Sequence, residues 1–230
     1  MPRHPDPNAK EALIAAARAE FARRGLRGAR IEDITAASGL SKGAFYLHFD
    51  SKEALFGELV HAFQARMAAC TAERTEAVQK FVEEHGAVDA RDAAEHTERY
   101  QELLALDVRL DLATLEAMWE YRDVVGVLVR GCQGTPFEGT VWELVDFEVN
   151  RVRKTFEELQ GQHTCRDDIP GELFGSLIVG TYLLLGVRMS RMYDKPDLAT
   201  LAEQLHTLIH EGSDPAEFKK PRRSIARSKP

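Results

Sequence analysis

Residues 31–52 read Ile31-Glu32-Asp33-Ile34-Thr35-Ala36-Ala37-Ser38-Gly39-Leu40-Ser41-Lys42-Gly43-Ala44-Phe45-Tyr46-Leu47-His48-Phe49-Asp50-Ser51-Lys52. Ile31, Ile34 and Ala37 recur at helical spacing, which predicts a short helix over 31–38. Gly39-Leu40-Ser41 then reverses the chain, and Gly39 supplies the positive φ such a reversal needs. Ser41 is an N-cap residue for a second short helix over 42–49. Two short helices joined this way have the proportions of a helix-turn-helix. Ile34, Leu40, Phe45 and Phe49 are expected to face inward, which leaves Lys42, Gly43, Ala44, Tyr46, Leu47 and His48 outside. That outward set suits a major groove. Gly43 and Ala44 let the backbone come close, small apolar groups can touch a thymine methyl, and Lys42 reaches guanine or phosphate. Tyr46, His48 and Lys52 are donors at the rim, suited to phosphate oxygens, beside the free amides of the following helix.

Working outward, Leu13, Ile14, Ala17 and Phe21 stripe a first helix over 9–24, and Gly25-Leu26-Arg27-Gly28 stops it. Downstream, Asp50 is expected to cap, with Glu53 reaching back, a long helix carrying Leu55, Leu59, Phe63 and Met67. Beyond residue 70 the stripes remain helical. One holds Leu112, Leu115, Trp119 and Leu128, and another holds Val141, Val145, Val149, Val152, Phe156 and Leu159. An apolar segment over 173–193 and a last stripe of Leu198, Leu201, Leu205 and Leu208 follow. No alternating strand pattern appears, so the expected fold class is all-α. From Ser213 the chain turns to Pro, Lys, Arg and Ser, the composition of a disordered basic tail.

The run Ile31 to Leu55, with Phe21-Ala22-Arg23-Arg24-Gly25 before it, resembles the DNA-binding head of the tetracycline-repressor (TetR) family over roughly residues 8–67. The resemblance implies an N-terminal three-helix helix-turn-helix DNA-binding head over 8–67. A helical effector-binding and dimerisation domain would follow over 68–212, with the tail over 213–230. It further implies a homodimer on double-stranded DNA with a palindromic operator, answering to a small-molecule effector. Carried onto this sequence, Lys42, Gly43, Ala44 and Leu47 fall where the family reads bases, Tyr46, His48 and Lys52 fall where it grips the backbone, and the N-cap Ser41 counts among the DNA-binding residues. Arg30 stands where members often place a capping Thr or Ser. It cannot cap in that way, but its guanidinium suits phosphate.

The charge layout agrees. Residues 1–60 hold 9 basic and 8 acidic side chains, 217–230 hold 6 and 1, and 61–216 hold 15 and 28. A near-neutral head on a body of net −13 can meet a polyanion at one end only. The 230 residues, 44% hydrophobic and 29% charged, exclude a disordered or fibrous chain. Cys70, Cys132 and Cys165 are scattered, which predicts no disulfide framework and a reducing, cytoplasmic setting. No apolar run follows Met1-Pro2-Arg3, so no signal peptide is expected. The longest charge-free stretch, Leu173 to Val187, is 15 residues, shorter than a bilayer needs, and reads as a buried helix rather than a membrane span.

In the body, the small residues Gly175, Ser176, Gly180, Thr181 and Gly186 suggest close helix packing. The 173–193 segment and the helix over 197–210 are expected to form one half of a four-helix dimer bundle. Trp119, Tyr121, Trp142 and Phe147, with Glu116, Arg122 and Glu143 near them, are the candidate effector lining. Glu203, His206 and His210 share a helix face, but Thr207 stands where the zinc-protease pattern requires Glu, so they read as surface residues and no metal is expected. There is no Walker loop, GxSxG elbow or dinucleotide fingerprint, and no cofactor is expected. Two other readings stay open on sequence alone: a helical small-molecule-binding protein without DNA-binding activity, and an all-α enzyme.

Overall fold

The structure, a computed structural model, describes residues 7–161 and 165–213. Among these it has ten helices and no strand: α1 Pro7–Gly28, α2 Ile31–Ser38, α3 Lys42–Tyr46, α4 Lys52–His85, α5 Ala90–Glu95, α6 Glu98–Glu120, α7 Arg122–Arg130, α8 Thr140–Gly161, α9 Gly171–Met189 and α10 Leu198–Ser213. The all-α expectation holds. The tail over 214–230 lies outside the described residues.

The head forms where local signals and apolar spacing agree. Leu13, Ala17 and Phe21 of α1 meet Ile34, Phe45, Phe49, Leu55 and Phe56, every one of them at most 3% exposed. Burying a side chain such as Phe45 contributes about 1.5–3 kcal/mol. Gly39 takes φ 69° and ends α2 in the left-handed region. The Ser41 hydroxyl accepts from the Ala44 amide at 3.1 Å, as expected of an N-cap. α3 is only five residues long, because the chain turns after Tyr46 even though Phe49 returns to the core. The cap of α4 is Ser51, whose hydroxyl accepts from the Ala54 amide at 3.0 Å, rather than the expected Asp50.

α4 runs unbroken for 34 residues, through the boundary expected at residue 67, so head and body share one element. A second link joins them at the end of α1. Gly25 breaks the helix at φ 69°, and the Leu26 amide donates to the Gly131 carbonyl at 2.9 Å. A Cβ on Gly131 would stand 2.9 Å from the Gly25 Cα, so only glycine permits the approach.

In the body, the stripe Leu112 to Leu128 is two helices, α6 and α7, separated at Tyr121. α9 packs chiefly on α8, where a Cβ on Gly175 would meet the Val149 carbonyl at 2.7 Å, and α10 packs on α6. The four-helix half-bundle expected from α9 and α10 is therefore not formed; the antiparallel neighbour of α9 is α8. Nor is α9 the buried helix expected. It spans 19 residues with mean hydropathy 1.4, which by length and composition alone is enough to cross a membrane, and only 17% of that stretch is buried. Leu173, Leu177 and Leu184, each about 60% exposed, line the face turned away from α8.

Inside the body lies a charged cluster. Arg74 of α4 bonds Asp107 at 3.0 Å and Asp111 at 2.5 Å, both on α6. The Tyr182 hydroxyl of α9 donates to Asp111 at 3.0 Å, and His206 Nδ1 of α10 stands 3.5 Å from it. His206 is 6% exposed, so the expectation of a surface histidine is corrected: α10 turns this face onto α6. Burial pushes the Asp107 carboxyl above its ordinary range, against the pull of Arg74 and with the push of Asp111. Burial acts on Asp111 in the same sense, but His206, Arg74 and Tyr182 outweigh it and hold that carboxyl below its ordinary range.

Candidate nucleic-acid interface

The outward residues of the helix-turn-helix stand outward. Tyr46 is 55% exposed and Leu47 54%; Lys42, Gly43 and Ser41 are exposed, and Ala44 and His48 are half-buried. Phe45, between them, is fully buried and anchors the element, with the Tyr46 ring edge-on to it at 5.5 Å. Nothing but the Ser41 hydroxyl, 3.7 Å away, would meet a Cβ on Gly43, so the α3 surface is open to a close approach.

Beside α3 a shallow cleft of about 260 Å³ opens at the start of α4. Ala29, Arg30, Tyr46, Asp50, Ser51 and Lys52 are among its walls. The first amides of a helix carry partial positive charge, and Arg30 and the Tyr46 hydroxyl add donors, while Glu32, Asp50 and Glu53 place carboxylates in the same walls. Arg30 stands at the N-cap position of α2, extended at φ −120° and ψ 140°, with no side-chain cap, as its chemistry requires. Its guanidinium is exposed.

Two lysines are engaged within the protein. Lys52 Nζ donates to the Arg27 carbonyl at 3.0 Å and to the Ala29 carbonyl at 2.8 Å, fastening α4 to the α1–α2 connection. The same nitrogen stands 4.0 Å from Glu53 Oε1, which shares its third N–H donor. Lys42 pairs closely with Glu32 of α2; the pair holds the lysine above, and the glutamate below, its ordinary range. Neither pairing had a local signal: both partners lie on other elements.

The seven residues expected to line an effector pocket do not enclose one cavity: Trp119, Tyr121 and Arg122 stay together at the α6–α7 junction, and Trp142, Glu143 and Phe147 are exposed on α8. Glu116 pairs with Lys195 on the surface. The Arg122 guanidinium lies 3.9 Å from the Trp119 ring and donates to the Trp119 carbonyl at 2.8 Å. The Tyr121 ring packs at 5.8 Å from Phe63 of α4. Trp142 and Phe147 are 60% and 67% exposed on α8, whose core stripe is Val141, Val149 and Phe156. Aromatic identity drew them together on paper; helix phase points them apart. A different cleft, about 300 Å³ and mostly apolar, lies between α9 and α10, with Leu185, Met189, Met192 and Leu201 in its walls and Arg188 and Asp197 at its polar side. Among the described residues no group of three or more His, Cys, Asp or Glu side chains is arranged to hold a metal ion. Burial pushes the thiols of Cys132 and Cys165 up to about 11, which disfavours the reactive thiolate.

Comparison with known proteins converges on the same segment. The sequence signature described as "Bacterial regulatory proteins, tetR family" matches residues 13–59. The chain is 39% identical over 62 residues to the uncharacterized HTH-type transcriptional regulator YdgC of Bacillus subtilis, covering 27% of this chain and 32% of that one. It is 33% identical over 129 residues to the HTH-type transcriptional repressor AcnR of Corynebacterium efficiens, covering 54% of this chain and 63% of that one. The chain thus spans between a third and just under two thirds of the length of these relatives. The fold agrees over nearly the whole chain. The ketosteroid transcriptional regulator KstR2 of Mycobacterium tuberculosis superposes with a TM-score of 0.62 at 21% identity, covering 89% of this chain and 94% of that one. Residues 13–59 thus carry the signature of the tetR family of bacterial regulatory proteins, and the helical architecture around them is similar to that of the solved regulator.

Proposed function

We propose that this protein is a ligand-responsive, DNA-binding transcriptional repressor, cytoplasmic and not an enzyme, which acts as a homodimer on a palindromic operator. The observation that carries this reading is the outward set on α3 beside the donor-lined cleft at the start of α4. In it, residues 8–67 are the DNA-binding unit and 68–212 the dimerisation and effector unit. Ala44, Leu47 and Lys42 read bases, while Tyr46, Arg30, His48 and the α4 amides hold the backbone. The exposed leucines of α9 support the dimer: a single chain rarely leaves such a face uncovered, and α8 and α9 from two copies make a four-helix bundle. Two α3 helices about 34 Å apart enter successive major grooves. An effector that binds a state of different spacing draws the population away from DNA.

Selection of fragments from random DNA by the purified protein tests the reading, and a palindrome is expected. Tyr46→Ala and Arg30→Ala should then weaken binding to every operator variant and lower its salt dependence, whereas changes at Ala44 or Leu47 should alter base preference. An equal, sequence-blind loss from both groups would remove the division between reading and holding residues. Leu177→Glu with Leu184→Glu should yield a monomer in sedimentation; a persistent dimer would place the interface elsewhere.

A further inference from the structure

The head is tied to the body at two places, and the second tie is polar. The first is α4 itself, which alone would leave the head free to swivel about its axis. The second binds α1 to both ends of α7. At one end, Arg18 Nε donates to Asp123 Oδ2 at 2.7 Å and Arg18 Nη2 to Oδ1 at 2.6 Å, a bidentate pair. The same guanidinium donates to the Glu120 carbonyl and lies 5.5 Å from the Tyr121 ring, which in turn packs on Phe63 of α4. At the other end stand the Leu26–Gly131 hydrogen bond and the close Gly25–Gly131 approach. Arg18 and Asp123 side chains are 28% and 22% exposed, so the pair is partly shielded from solvent. A fork of parallel N–H···O bonds fixes direction as well as distance.

α3 is fixed to α1 through Phe45 and Phe49. The direction in which α3 points is thereby set by α7, through α1, and not by α4 alone. In a dimer that direction decides how far apart, and at what rotation, the two α3 helices meet DNA. We infer that Arg18 and Asp123 are positioning residues that set the half-site spacing this protein accepts, discriminating against operators one base pair longer or shorter. One added base pair displaces a half-site by roughly 3.4 Å and rotates it by roughly a tenth of a turn. A head held at two points cannot follow that change without breaking the fork. The inference rests on the proposed DNA-binding dimer, but concerns spacing and not base identity.

The test is selection on random DNA by wild type, Arg18→Ala, Asp123→Ala and the exchanged pair Arg18→Asp with Asp123→Arg, followed by titration on operators whose central spacer differs by one base pair. The alanine variants are expected to keep the wild-type half-site sequence while their preference for the native spacer falls about fivefold or more. The exchanged pair should recover part of that preference, which a merely structural defect would not allow. Where Arg18→Ala or Asp123→Ala lowers the melting temperature sharply, Asp123→Asn carries the test: it keeps the volume and one acceptor oxygen. Unchanged spacer preference in folded, dimeric variants overturns the inference while leaving the regulator reading intact. A wild-type protein that enriches no sequence overturns both.

Discussion

Head and body solve the problem of burial in opposite ways. In the head, the groups inside are apolar apart from Glu20, which pairs with Arg23 and Arg24: Leu13, Phe21, Ile34, Phe45, Leu55 and Phe56 are sealed, while Lys42 and Arg30 are exposed. The body encloses an arginine, two aspartates, a tyrosine and a histidine, and leaves a row of leucines uncovered on α9. The first pattern belongs to a unit complete in one chain. The second leaves an apolar face open on the single chain and organises its interior by charge.

Four measurements sharpen or break that contrast. Phe45→Ala should cost the head about 3–5 kcal/mol in urea unfolding, because it empties the centre of a close-packed cluster. A loss near 1 kcal/mol would mean the head is loosely packed. Arg74→Ala should cost the body roughly 3 kcal/mol, at the low end for a buried pair because the guanidinium is 31% exposed. A neutral result would reduce the cluster to ornament. The two aspartates of that cluster should behave differently. Asp111 is held below its ordinary range, so it stabilises the fold above the pH at which the unfolded chain titrates, about 4, and this is lost as pH falls through the folded value. Asp107 is raised, so its ionisation opposes folding at neutral pH and acidification relieves it. Asp111→Asn should therefore cost about 1–3 kcal/mol at pH 7 and flatten the acid loss. Asp107→Asn should cost less than about 1 kcal/mol there and steepen that loss. Equal responses would show that the cluster does not divide its carboxylates in this way. Last, Arg30→Thr should add about 0.5–1 kcal/mol by supplying α2 with the cap it lacks. A loss would point to a structural bond made by the arginine.

The head was legible in the sequence because its signals are local. Gly39 and Ser41 act on neighbours within three or four residues, and the apolar spacing names the inward side chains. Even there, the cap of α4 is Ser51 and not the expected Asp50, a difference of one residue that the direction of the hydroxyl decides. Arg18–Asp123 and Lys52–Ala29 join residues 105 and 23 positions apart, so no local pattern announces them. The body was legible only as helices. Its stripes locate α6 to α10, but which helix meets which depends on close approaches such as Gly175 to Val149. Trp142 and Phe147 illustrate the same limit: hydrophobic residues are often exposed, and residue type does not decide burial.

In the proposed complex with DNA, Glu32 has a consequence for how the protein moves through a genome. Its carboxylate sits against the Lys42 ammonium much as a strand oxygen would, an internal decoy that the duplex must displace. A pair this exposed is screened by solvent and is parted at small cost. Sites that offer nothing beyond bulk negative charge bear that handicap in full, whereas a cognate sequence repays it through its base edges. With millions of wrong addresses competing for each right one, a small tax on indiscriminate adhesion shortens the search.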